Sequence, residues 1–312
     1  MTTATAHPNI ALIKYWGKQD APGNIPVAPN VSITLSNLTT TTAISEHDRD
    51  EFWLNAEQVV DTKLEGFLAD LRREFTIAPV KIESTNNFPT GAGLASSASG
   101  FAALITALNH HAKMRLDVAT MSQWARRGSA SAARSLMCGY VSLTPPAWRA
   151  EQVAAPAHWP LHVVVAVTST VPKAIGSTDG MRISRDTSPY FPAWVATGAS
   201  DFDDAVQAIA ARDFDKLAAA AELSCLKMHS VMLTSVPTLA YWNPATVACM
   251  DAIRSLRAAG TAVFFSIDAG PQVKAICLPQ HTDAVEQVLG QIEGVRETIR
   301  CALGDAAQVI RP

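Results

Sequence analysis

In the stretch "NNFPTGAGLASSASGFAAL", Asn86 to Leu104, nearly every side chain from Thr90 to Ala98 is small, and apolar residues then recur at helical spacing. Gly91 and Gly93 permit backbone angles closed to other residues and let a ligand approach the main chain. Ser96 and Ser97 fall where the helix begins, and a helix start presents about four unpartnered N–H groups and about half a positive charge. Such a loop suits an anion, phosphate above all. It is neither a Walker A loop nor a dinucleotide fingerprint, since GxxxxGK[ST] is absent and Ser96 holds the third glycine position. The plain alternative is a flexible turn before a core helix.

Three further clusters carry comparable chemistry. "NIALIKYWGKQD", Asn9 to Asp20, spaces Lys14 and Lys18 four apart around Tyr15 and Trp16. Two ammonium groups beside a tyrosine hydroxyl suit a phosphorylated substrate, although a surface helix face would also space lysines this way. "ARRGSASAARS", Ala125 to Ser135, offers N–H and O–H donors at Gly128, Ser129, Ala130 and Ser131, and Arg134 can grip a carboxylate or phosphate with two parallel bonds. Arg126 and Arg127 read instead as cations at a helix C-terminus. "FFSIDAGP", Phe264 to Pro271, places Asp268 at the end of an apolar strand. Asp before Gly ordinarily serves the turn. A carboxylate amid apolar neighbours is costly unless paired, so a lysine or arginine beside Asp268 would keep it ionised and able to accept a hydroxyl proton. Ser177, Thr178 and Arg182 in "GSTDGMRIS" add donors. The eight histidines form no HxxxH or HExxH pattern, and none is assigned to a metal.

Elements able to position these groups are legible around them. Val31 to Ser45 reads as strand, turn, strand, and "EFWLNAEQV" continues the β-rich region. Helices are expected over Lys63 to Phe75, Ser96 to His110 and Asp117 to Arg127, the last with Asp117 as N-cap. "APVKIEST" and "LHVVVAVTSTV" read as strands, the second buried. Later helices are expected over Asp201 to Ala211, Phe214 to Ser235, Asn243 to Ala259 and Thr282 to Ile292, with strands "AVFFSID" and "QVKAICL" between the last two. The mixture without strict βαβ alternation gives an α+β chain of two lobes, 1–170 and 171–312.

Totals exclude several classes. The 312 residues carry a net charge of −3, so no basic excess draws the chain to nucleic acid, and any anionic ligand needs a local cluster of cations. Five scattered cysteines without CxxC fit a reducing cytoplasm better than a disulfide framework or a zinc site. The first residues lack the pattern of a signal peptide, and no uncharged apolar run has a membrane-spanning length.

Taken together, "NIALIKYWGKQD", "NNFPTGAGLASSASG", "ARRGSASAARSL", "GSTDGMR" and "SIDAGP", in this order and at these spacings, resemble the diphosphomevalonate decarboxylases of the GHMP kinase superfamily. The resemblance runs from about residue 6 to beyond residue 275. It implies a ribosomal-S5-like N-terminal lobe and a ferredoxin-like C-terminal lobe with the active site between them. It also implies the reaction: with Mg2+, ATP phosphorylates the tertiary 3-hydroxyl of mevalonate 5-diphosphate, and loss of that phosphate and CO2 leaves isopentenyl diphosphate. By position, Asp268 matches the aspartate that orients or deprotonates the 3-hydroxyl, and Arg134 the arginine that holds the carboxylate. Lys14, Tyr15 and Lys18 match substrate-end positions, with Lys18 also placed to support Asp268. Ser129, Ala130, Ser131, Ser177 and Thr178 match the diphosphate end. Ser96 and Ser97, with Thr90, Gly91, Ala92, Gly93, Leu94 and Ala95, match the ATP phosphate site, and Asn87 the nucleotide region. No Mg2+ ligand is assigned. A cytoplasmic homodimer is implied. The chain departs from the family pattern at Ala28, Pro29, Ala130, Ser142 and Thr178. Those departures leave mevalonate 5-phosphate or a related 3-hydroxy acid as alternative substrates, and a 3-hydroxyl kinase or a small-molecule sensor as alternative functions.

Overall fold

The computed structural model describes residues 1–89, 93–171 and 173–311. Strands β1 (Thr2–Ala6), β2 (Asn9–Ile13), β3 (Asn30–Thr34), β4 (Thr40–Glu46), β5 (Glu51–Leu54) and β6 (Glu57–Val59) precede helix α1 (Thr62–Arg72). Then follow β7 (Val80–Asn86), α2 (Ser96–His111), α3 (Val118–Gly128), a 3₁₀ helix over Ala130–Leu136, β8 (Tyr140–Thr144), β9 (Arg149–Ala154) and β10 (His162–Val167). Helices α4 (Ser177–Thr187), α5 (Phe191–Ala211), α6 (Phe214–Leu233) and α7 (Pro244–Ala258) lead to β11 (Val263–Ile267), β12 (Val273–Cys277), α8 (Thr282–Gly290), β13 (Glu297–Ala302) and β14 (Gln308–Arg311).

These strands form three sheets, ordered β14-β1-β4-β7-β5-β6, β2-β3-β8-β9 and β11-β12-β10-β13. Side chains alternate across a strand, so one strand serves two cores. Val163, Val165 and Val167 of β10 join a core with Ile10 and Ile33 of the second sheet and with Ala208 and Leu217 of α5 and α6. Val164 and Ala166 join a core with Ile253 of α7 and Val285 of α8. That double burial is why β10 reads as an unbroken apolar run, and each such valine contributes about 1.5–3 kcal/mol by leaving water. A third core packs α1, α2 and α3 against the first sheet, leaving most of α2 buried.

Helix starts follow the expected chemistry. Asp61, Asp117, Asp213 and Asn243 each accept a hydrogen bond from a backbone N–H of the first turn. Gly260, with φ 93°, ends α7 in a left-handed conformation that a residue with a side chain would resist. Helix α5 begins ten residues before the expected Asp201, and α1 stops at Arg72, where Arg73 already has the C-cap position. Strands β1, β2, β8, β9, β13 and β14 and helix α4 carry no expectation from the sequence. The last strand pairs with the first, Thr5 opposite Gln308.

Candidate active site

Asp268 follows β11, whose five residues are all buried and uncharged, so the first charged side chain emerges where the strand ends. The backbone turns at once, with Gly270 N–H donating to the Asp268 carbonyl at 2.7 Å. Lys14 follows β2 in the same way. Its N–H donates to Ser224 Oγ on α6 at 3.0 Å, and Ser266 Oγ donates to the Ala11 carbonyl at 3.0 Å, clamping β11 onto β2. Lys14 Nζ therefore donates to Asp268 Oδ1 at 2.6 Å. Lys274 Nζ lies 3.1 Å from Oδ2, close enough for an ion pair but without the alignment of a full hydrogen bond. Burial alone would raise the Asp268 pKa, but the two ammonium groups outweigh it and hold the carboxyl well below the usual range. The side chain of Asp268 is 26% exposed, that of Lys14 1%. The carboxylate thus faces a cleft from a buried base.

Arg134 enters from the 3₁₀ helix and is 1% exposed. Its Nε donates to Ser32 Oγ at 2.9 Å, Nη2 to Asn9 Oδ1 at 3.3 Å, and Nη1 to Asn30 Oδ1. All three acceptors are neutral, and among the described residues no carboxylate forms an ion pair with it. Burial pushes its pKa down to about 10, with Tyr15 and Asp268 opposing, so it stays a cation at neutral pH. The Tyr15 hydroxyl and the Trp16 indole N–H are buried with no hydrogen-bond partner among the described residues. Burial raises the Tyr15 pKa, leaving a neutral O–H to donate. Orphaned donors of this kind fit an anionic ligand.

The cleft holds about 350 Å³ and is lined by Lys14, Lys18, Lys63, Arg134 and Lys173 against one carboxylate, Asp268. Ala95 N-caps α2 in the left-handed conformation (φ 57°), and no side chain caps the helix. The helix start, with Gly93, Ser96 and Ser97, opens into this cleft. Ser97 Oγ lies 3.4 Å from Ser129 Oγ, which lies 3.2 Å from Ser131 Oγ. Lys18 Nζ donates to Thr178 Oγ1 at 3.2 Å, and Lys173 Nζ to Ser177 Oγ at 2.7 Å and the Ala269 carbonyl at 3.1 Å. Burial, with the Lys63 charge, lowers the Lys18 pKa to about 8. A second pocket of about 230 Å³ adjoins the helix start. It shares Lys63, Ser96 and Ser97 with the cleft and is walled by Phe52, Trp53, Leu64, Phe101 and Leu104.

Most sequence-expected residues meet here: Lys14, Tyr15, Lys18, Gly93, Ala95, Ser96, Ser97, Ser129, Ala130, Ser131, Arg134, Ser177, Thr178 and Asp268 all line the cleft. Thr90, Gly91 and Ala92 lie outside the described residues. Leu94 is buried in the core instead of lining the cleft, as its apolar side chain requires. Asn87 is committed elsewhere: its Oδ1 accepts from Thr39 N and its Nδ2 donates to the Asn37 carbonyl. The ammonium beside Asp268 belongs to Lys14 and Lys274, whereas Lys18 reaches Thr178. Of the departures from the family pattern, Ala28 packs against Gly198, and Ser142 Oγ donates to the Glu151 carbonyl on β9. Neither lines the cleft; Ala130 and Thr178 do.

Sequence reasoning missed Lys63, Lys173 and Lys274. Lys274 had a signal, a charge inside the apolar run "QVKAICL", which is costly without a partner. Lys173 had none.

Residues 6–153 match the family model for the diphosphomevalonate decarboxylase-like N-terminal domain, and residues 163–308 that for the mevalonate 5-diphosphate decarboxylase C-terminal domain. The diphosphomevalonate decarboxylase of Candida albicans is 34% identical over 301 residues, 86% of this chain and 82% of its own. The crystal structure of mevalonate diphosphate decarboxylase from Staphylococcus aureus superposes with a TM-score of 0.93 at 32% identity, over 99% of this chain and 98% of that one. The complex of MDDEF with MVAPP, AMPPCP and magnesium gives 0.92 at 31% identity, over 100% and 99%.

Proposed function

The chain belongs to the diphosphomevalonate decarboxylase family, and from that premise we propose that it converts mevalonate 5-diphosphate and ATP to isopentenyl diphosphate, ADP, phosphate and CO2. The observation that carries this reading is one ionised aspartate set among five cations in a cleft that also receives an uncapped helix start. The surplus of positive charge favours two polyanions over one and a diphosphate over a monophosphate.

Each residue then has a task. Arg134 grips the substrate carboxylate with the bidentate geometry its neutral partners leave to it. The Tyr15 hydroxyl, Lys18 and the Ser129–Ser131 pair face the 5-diphosphate. Gly93, Ser96 and Ser97 cradle the ATP phosphates, and the apolar pocket beside Lys63 suits the purine. Asp268 is too weak a base to strip a tertiary alcohol outright. It orients the 3-hydroxyl and takes its proton as the P–O bond forms and the oxygen turns acidic, as a loose phosphoryl-transfer transition state allows. Phosphate then leaves with its bonding pair. The electrons of the breaking C–CO2 bond form the alkene, and Lys14 and Lys173 stabilise the departing charge.

No cluster of three His, Cys, Asp or Glu able to hold a metal occurs among the described residues. That suits Mg2+ held chiefly by phosphate oxygens, with the Ser96 and Ser97 hydroxyls as protein donors, where it supplies neutralising charge. Solved relatives carry this combination, as the complex of MDDEF with MVAPP, AMPPCP and magnesium describes.

The same reading includes a cytoplasmic homodimer and a division into two lobes near residue 170. Five free cysteines support the compartment, and family membership the dimer. The family models meeting between residues 153 and 163 support the division. No helix among the described residues is long and apolar enough to cross a membrane.

The test is product analysis with ATP, Mg2+ and either mevalonate 5-diphosphate or mevalonate 5-phosphate. ADP and CO2 in equal amounts from the diphosphate support the reading. ADP without CO2, or turnover confined to the monophosphate, overturns it.

A further inference from the structure

We propose that Lys274 is a positioning residue that couples the ATP phosphate loop to Asp268. The proposal rests on the reaction assigned above and adds to it a residue that touches neither substrate.

Lys274 sits at the centre of β12, opposite Val165 on one side and Ser266 on the other. Its side chain is 2% exposed and does not line the cleft. An ammonium inside an apolar strand is costly unless its partners compensate. Among the described residues it has two partners, and both belong to the reaction site: Asp268 Oδ2 at 3.1 Å and the Gly93 carbonyl at 2.9 Å. Gly93 has φ +82°, and a Cβ there would stand 3.1 Å from Gly270 Cα. The loop before α2 and the turn after Asp268 therefore meet backbone to backbone, and one ammonium ties them together.

Neutralising Asp268 does not require this lysine, because Lys14 already donates to Oδ1 at 2.6 Å. What Lys274 adds is the link to Gly93. A nucleotide that sets the position of the loop sets how much of the ammonium Gly93 takes, and hence how strongly Oδ2 is held. By linkage, the ionisation of Asp268 feeds back on nucleotide affinity to the same extent. Besides these two lysines, the charged groups acting on Asp268 are Lys173 and Arg134, and Cys225 and His229 lie behind it. The Lys274→Met change alters none of them.

The experiment compares wild type with Lys274→Met and Lys274→Gln, measuring kcat and both KM values from about pH 5 to about pH 9, with Tm as the check on folding. Losing one of its two cations raises the Asp268 pKa, so the ionised form disappears at a higher pH. The acid limb of kcat should therefore lie at higher pH in both variants than in wild type. Lys274→Met should also lose at least about tenfold in kcat at neutral pH, with a raised KM for ATP and an unchanged KM for the diphosphate. Lys274→Gln can still donate to Gly93, so it should keep the raised acid limb while recovering the KM for ATP; it also carries the test if the methionine variant does not fold. The proposal is overturned if activity falls in step with Tm while the pH profile and the KM for ATP stay as in wild type, or if Lys274→Met is fully active. A 13C-carboxyl titration of Asp268 reads the same shift without turnover. A wild type that releases no CO2 would therefore remove the reaction, and an unmoved Asp268 pKa in Lys274→Gln would remove the role of Lys274.

Discussion

Two arginines in this molecule meet opposite surroundings. Arg257 on α7 lays Nη1 and Nη2 on Glu222 Oε1 and Oε2 of α6, at 2.8 and 2.9 Å, and Glu222 also accepts from Phe265 N at 3.1 Å. Every charge there is answered within the protein. Arg134 is buried more deeply, yet its partners are the neutral oxygens of Asn9, Asn30 and Ser32. A cation costs free energy to bury, so the first arrangement fits a group that holds helices together. The second retains its full charge for an external anion. The same distinction separates the Lys227–Asp201 pair, with Nζ at 2.7 Å, from the lysines of the cleft, where five cations face one carboxylate.

The sharpest way to break the comparison is at its one anion. Asp268→Asn should lower kcat per folded molecule at least about a hundredfold, with a lower Tm because Lys14 and Lys274 lose their counter-charge, and near-normal turnover would take Asp268 out of its assigned role. Arg134→Met comes next. Removing a carboxylate grip should reduce kcat/KM by about a hundredfold, mostly through substrate binding, while circular dichroism shows a folded protein. A melted variant would place Arg134 with Arg257 among the structural arginines.

A smaller effect is expected at Lys18. Its pKa of about 8 means the ammonium is protonated below that pH and loses its charge above it. The KM for the phosphorylated substrate should therefore rise by about tenfold as pH climbs past 8, and Lys18→Met should flatten that rise. A pH-independent KM in wild type would detach Lys18 from the anion. The smallest catalytic effect belongs to Glu222→Gln. Urea unfolding should show about 1–3 kcal/mol of lost stability, with kcat per folded molecule unchanged. A specific loss of kcat would mean the closed pair also serves the chemistry.

How much of this was legible depends on where each residue's signal resides. Asp268 declared itself because a carboxylate at the end of "FFSI" needs an explanation within a few residues of sequence. The loop before α2 did the same through its small side chains. Arg134 could be picked out by type, but its neutral cage comes from Asn9 and from Asn30 and Ser32 of β3, about a hundred residues away. Lys14 was assigned to substrate, yet its tie to Asp268 spans 254 positions and exists because Ser266 and Ser224 fasten β2 between β11 and α6. The fold class followed from periodicity, while β1 and β2 escaped notice because neither carries a turn signal or clear alternation. Edges of helices moved by a turn or more where tertiary packing decided them, as at the start of α5.

The pairing of β14 with β1 restrains how the cleft can widen. The chain leaves the first two sheets through 155–161 and comes back through 303–307, so two covalent spans join those sheets to the third. The Ser266–Ala11 hydrogen bond fastens β11 to β2 between these spans, so superposed bound and unbound forms should show the sheets shifting little against each other, and the change in cleft width should come from the loops that rim it.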